Sequence, residues 1–168
     1  MTPTIATILV PLDVGESCEP IAAWAVEWAR VQRARLLFLH VLPQVNAYAT
    51  PVFVDQRTYD DYYARAREGA TRRLERFAAS ALAAGIEASI RVRIGFAAEE
   101  ILEAAREEGA DLIVLGTHGR RGLAHLVLGS TAEKVVRLAR CSVFVVKEPH
   151  PAGGSDPAEA HSAGTARP

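Results

Sequence analysis

Residues 116–131 read GTHGRRGLAHLVLGST, with three glycines at equal spacing (Gly116, Gly119, Gly122) and a fourth, Gly129, directly before Ser130 and Thr131. A strand-like run, ADLIVLG, precedes the stretch, and a helix-like run, AEKVVRLAR, follows it. Glycine adopts positive φ cheaply and lets a ligand approach the backbone closely. A helix start offers unpaired N–H groups and the positive end of the helix dipole, and here two hydroxyls stand beside it. That chemistry suits a phosphate. The dipole supplies about 0.3–1 kcal/mol per exposed charge, whereas hydrogen bonds to charged oxygens supply about 1.5–3 kcal/mol each and dominate. The competing reading is a helix capped by Ser130 after a tight loop. Capping accounts for the serine but not for four glycines.

Two common phosphate motifs do not apply. A Walker A loop requires lysine between the last glycine and the hydroxyl residue, but Gly129 is followed at once by Ser130, and Lys134 comes a helical turn later. A dinucleotide fingerprint requires GxGxxG after the first strand; GTHGRRG has other spacing and follows the fourth.

The elements that must position this stretch alternate between strand and helix. Ile5–Leu12 (IATILVPL) is apolar on both parities, as in a strand covered on both faces. Ser17 fits an N-cap for a helix through about Arg33, with Ile21, Trp24, Ala25, Trp28 and Val31 on one face and both tryptophans in the core. Leu36–Leu42 is a second strand, stopped by Pro43. Tyr59, Tyr62, Tyr63, Ala66, Ala70, Leu74, Phe77, Ala78 and Leu82 mark a long amphipathic helix that Gly85 ends. ASIRVRI alternates apolar and charged residues, which suits a sheet edge with one wet face. A helix from about Ala98 to Glu108 buries Ile101, Leu102 and Ala105, and Gly109 ends it. Asp111–Leu115 is a fourth strand, Thr131–Ala139 lies in a fourth helix, and Ser142–Lys147 is a fifth strand. The succession predicts an α/β fold: a doubly wound, Rossmann-like five-stranded parallel sheet in the order 3-2-1-4-5. Ligands of such sheets bind outside the carboxyl ends of the strands where the order reverses, which is where the glycine stretch falls.

Gly116-x2-Gly119-x9-Gly129-Ser130 resembles the ATP-binding signature G-x2-G-x9-G-[S/T] of the universal stress protein family, an adenine nucleotide alpha hydrolase-like fold. The resemblance extends over about 5–147 through ILVPLD, LHV, ADLIVLGTHGRRGL and GSTAEKVVRLARCSVFVV, in order and at family spacing. Arg140 and Ser142 stand where members often carry proline, and 43–60 matches poorly. The resemblance implies an ATP and Mg²⁺ site. Pro11 and Asp13 of VPLD lie in it, with Asp13 near the ribose and metal end, and Val41 of LHV presents backbone groups to the adenine edge. Gly116, Gly119, Gly129, Ser130 and Thr131 surround the phosphates, with His118 and Arg120 inside the loop as further contacts. His40 and His125 are read as structural.

The rest of the chain narrows the function. Net charge is −1, and the arginines are interleaved with Asp and Glu, so nothing favours nucleic acid or an anionic membrane. Cys18 and Cys141 have no ligand spacing between them, and no run of about 18 apolar residues occurs; a cytoplasmic protein is expected. The loop holds no carboxylate or glutamine to position an attacking water. The expected function is an ATP-binding regulatory module of the stress response rather than an enzyme. The alternatives are slow hydrolysis or autophosphorylation, and a nucleotide-free dimeric interaction protein. The expected domain is 1–148, with 149–168 as a disordered tail poor in large apolar residues. The fifth strand, apolar on both faces and at a sheet edge, is expected to pair a homodimer through Val143 and Val145.

Overall fold

The computed structural model describes residues 4–14, 18–44, 55–117 and 128–147. Five strands, β1 (Thr7–Pro11), β2 (Arg35–Pro43), β3 (Ala88–Gly95), β4 (Leu112–Gly116) and β5 (Ser142–Val146), form one sheet in the order β3-β2-β1-β4-β5. Every neighbouring pair is parallel. Four helices connect them: α1 (Cys18–Gln32), α2 (Gln56–Ala83), α3 (Ala97–Glu107) and α4 (Ser130–Leu138).

The apolar runs at both parities have their expected cause. Ile8, Val10, Leu36, Phe38, Leu112 and Val114 face α1 and α2, while Leu9, Leu37, Leu39, Ile113 and Leu115 face α3 and α4. All are buried, so the three central strands are covered on both sides. The start of β4 is tied to the start of β1 by Asp111, whose Oδ2 accepts from the Ala6 and Thr7 N–H groups at 2.8 and 3.0 Å.

Helix α1 corrects the expected face. Its buried stripe is Cys18, Ile21, Ala22, Ala25 and Ala29, so close packing on the sheet is made by small residues. Trp24 is 51% exposed and Val31 72% exposed. Trp28 is half-buried against the core as expected, and both tryptophans flank Phe144 of β5, with ring centroids at 5.8 Å for Trp24 and 5.6 Å for Trp28. The helix ends at Gln32, with Arg33 at φ 58. Leu82 of α2 is exposed too, and in α3 Ala104 takes the buried place expected of Leu102, which is half-buried. Gly85 and Gly109 do end their helices, at φ 78 and 58, conformations that favour glycine. The Ser17 cap, His125 and the tail lie outside the described residues.

Candidate functional site

The order reverses between β1 and β4, and the residues around their carboxyl ends form the candidate site. β4 ends at Gly116, which pairs with Val146, and the Thr117 N–H donates to the Val146 carbonyl at 3.2 Å. The chain returns at Gly129, whose N–H donates to the Thr117 carbonyl at 2.8 Å. That bond fixes the start of α4 against the end of β4. His118, Gly119 and Arg120 lie outside the described residues.

Gly129 is the N-cap of α4, at φ −72 and ψ 155, with no side-chain cap bond. Ser130 therefore does not cap the helix; it is the first helical residue, exposed, with half-buried Thr131 behind it. Any residue adopts the Gly129 backbone, and Gly116 has no positive φ either. Positive φ thus does not explain these two glycines, and close approach to the backbone remains as the physical reason for them. Lys134, one turn into α4, pairs with Glu99 of α3 at 3.0 Å.

On the other side of the switch point, β1 ends at Pro11, two residues before Asp13. Three bonds hold this exit. The Leu12 N–H donates to the Leu39 carbonyl at 2.8 Å, and the buried His40 donates from Nδ1 to the Leu12 carbonyl at 2.7 Å. The Cys18 thiol donates to Asp13 Oδ1 at 3.1 Å. Between them, Val14 has φ 52, which costs a β-branched residue about 1–3 kcal/mol. Pro11 lies opposite Leu39, so Val41 stands two residues further along β2 at the same end of the sheet, although the strand continues to Pro43. Pro11, Asp13, Val41, Gly116, Gly129, Ser130 and Thr131 are thus all carried to the carboxyl ends of β2, β1 and β4.

Sequence reasoning identified His40 as structural, and its bond to Leu12 is a structural one. It missed Cys18 and Thr117. A cysteine five residues after an aspartate has no periodic signature, and Thr117 acts through its backbone, which no side-chain pattern reveals. Among the described residues, no group of three or more His, Cys, Asp or Glu is placed to hold a metal ion. A hollow of about 480 Å³ between α3 and α4, lined by Leu102, Leu138, Ala139 and Cys141 among others, contains none of the residues the signature implicates. Burial raises the Cys141 thiol above its ordinary range, which makes it a poor nucleophile.

Comparison with known proteins gives one family. The profile of the Universal stress protein family matches residues 4–147. Universal stress protein YxiE of Bacillus subtilis is 31% identical over 144 residues, covering 83% of this chain and 97% of YxiE. Among solved structures, MJ0577 of Methanocaldococcus jannaschii superposes with a TM-score of 0.78 at 23% identity, over 89% of this chain and 100% of that one. A universal stress protein in complex with cAMP superposes at 0.60 and 23% identity, over 86% and 98% of the two chains.

Proposed function

The chain belongs to the universal stress protein family, and on that footing we propose that it binds ATP with Mg²⁺ at the carboxyl ends of β1 and β4. One observation carries the reading: the first turn of α4, whose N-cap Gly129 brings no side chain of its own to close it, is anchored to the end of β4 across the switch point from Asp13. The backbone N–H groups of that turn and the Ser130 and Thr131 hydroxyls donate to phosphate oxygens, at about 1.5–3 kcal/mol for each bond to a charged oxygen. Gly116, Gly119 and Gly129 leave room for the phosphates to reach the backbone, with His118 and Arg120 as further donors. Pro11 and Asp13 flank the ribose, and the Val41 backbone meets the adenine edge. Bound Mg²⁺ neutralises phosphate charge. One protein carboxylate, Asp13, suits an ion whose other oxygens come from phosphates and water. The cAMP complex of a relative supports the adenine class.

The role is regulatory rather than enzymatic, since the loop sequence offers no carboxylate or glutamine to position an attacking water and Lys134 is engaged by Glu99. The domain is residues 1–148, in the cytoplasm. Calorimetric titration with ATP, ADP, AMP and cyclic AMP tests the reading. ATP with Mg²⁺ is expected to bind at micromolar strength, about −8 kcal/mol. No heat with any of the four would overturn it. Truncation after Pro149 should change neither melting temperature nor affinity.

The working form is a homodimer paired through β5. The two sheet edges support this. On β3, Arg91 and Arg93 are held by Glu108, Glu100 and Glu107 of α3 and the residue after it. Guanidinium groups of Arg91 and Arg67 also cover the Ile90 and Val92 carbonyls, at 3.0 and 3.2 Å. Such charge keeps other strands away. β5 contains no charged residue and is bordered by the Trp24–Phe144–Trp28 shelf. Val143 and Val145 would meet their symmetry mates across a two-fold axis. Val145→Lys should convert the dimer to monomer in light scattering at micromolar concentration. A monomeric wild type, or a dimeric variant, would refute the edge pairing.

A further inference from the structure

The residues flanking the exit of β1 hold two features that the packing of β1 does not require. Val14 is buried with φ 52, and the thiol of Cys18, the first residue of α1, donates to Asp13 Oδ1 at 3.1 Å. Beyond the left-handed residue Val14, Cys18, five positions on from Asp13, meets its carboxylate. We propose that Cys18 is a positioning residue, whose thiol holds the Asp13 carboxylate in the orientation that serves the nucleotide site. This rests on the nucleotide reading above.

The argument is one of anchorage. Asp13 is half-buried two residues beyond the end of β1, and an aspartate side chain has several staggered rotamers to choose among. Cys18 is only 1% exposed and packs in the same core as Val14, Ile21 and Ala25. A thiol behaves there as a small apolar group and keeps one proton to donate. Its bond therefore ties the carboxylate to the rigid interior. A group fixed before the ligand arrives lowers the ordering cost of binding. Alanine at 18 would keep most of the packing and lose the donor, whereas serine would keep the donor.

The test uses the full chain carrying Cys141→Ser, so that Cys18 is the sole thiol. The infrared S–H stretching band reads its hydrogen bond without any nucleotide. Asp13→Ala should move that band to higher frequency, and an unmoved band would overturn the contact. In calorimetry with ATP and Mg²⁺, Cys18→Ala should weaken binding by about three- to tenfold, and Cys18→Ser should restore it to within about twofold. In an Asp13→Ala background the Cys18→Ala loss should vanish, because the two act as a pair. Wild-type affinity in Cys18→Ala, or an equal loss with Asp13 absent, would overturn the positioning role while leaving nucleotide binding intact. A wild type that binds no adenine nucleotide would fail the nucleotide reading and the positioning role together, even with the band shifted.

Discussion

Helices α2 and α4 begin with the same backbone and opposite chemistry. The N-cap of α2 is Asp55 at φ −68 and ψ 156; that of α4 is Gly129 at φ −72 and ψ 155. Asp55 Oδ1 accepts from the Thr58 N–H at 3.0 Å, and Oδ2 accepts from the Thr58 hydroxyl at 2.8 Å. The helix supplies its own anion. At α4 an aspartate would fit the same torsions, yet a glycine stands there and brings no side chain of its own to the turn. Conformation does not decide between the two residues. α2 is closed by its own carboxylate, and in the proposed reading the start of α4 is left to a phosphate brought from outside.

Exchanging the two chemistries gives the largest expected effect. Gly129→Asp places a carboxylate where the phosphates are proposed to sit, and ATP affinity should fall by more than about a hundredfold through repulsion and a blocked path. The melting temperature should hold or rise slightly, because aspartate is a better N-cap than glycine by only about a few tenths of a kcal/mol. Lost binding with unharmed stability is the signature of a site held open. A fall in both would mean that Gly129 is needed for folding.

Asp55→Ala should do the reverse, lowering the melting temperature by about 2–4 °C and leaving ATP affinity unchanged. The backbone N–H of Thr58, and then its hydroxyl, holds the Asp55 carboxyl below its ordinary value of 3.8. A carboxyl with a depressed folded pKa contributes stability that is complete above the unfolded value and lost as pH falls through the folded one. The gap between wild type and Asp55→Ala should thus be constant above about pH 5 and close under more acid conditions. A gap that persists there would assign the effect to packing.

The smallest effect expected is for Thr58→Val, which removes only the hydroxyl bond to Asp55 on an exposed surface. A shift of about 1–2 °C in thermal melts would fit that loss. A shift as large as that of Asp55→Ala would make the hydroxyl, rather than the backbone bond, the main cap.

The strand order was legible because each strand announces its setting. Both-parity apolar runs mark β1, β2 and β4 as buried on two faces, and alternation in ASIRVRI marks β3 as an edge. The face of α1 was less legible. Hydrophobic periodicity weights tryptophan heavily, but the close approach of helix to sheet selects Ala22, Ala25 and Ala29, leaving Trp24 to overhang β5. At the candidate site, spacing singled out the glycines and the family resemblance singled out Asp13, whereas the Cys18–Asp13 bond and the Thr117 backbone bonds were invisible because they arise from how separate segments meet. The competing reading made Ser130 the cap of α4; the backbone gives that place to Gly129, because the helix begins at Ser130, one residue before the expected Thr131.

The central claim is most directly tested by a titration of isotopically labelled protein with ATP and Mg²⁺, followed through its amide ¹H–¹⁵N resonances. The amides of Gly116, Gly129, Ser130 and Thr131 should move together and saturate at micromolar nucleotide, while those of Asp55 and Thr58 at the closed start of α2 stay in place. Resonances that do not move at α4, or that move as much at α2, would contradict the account.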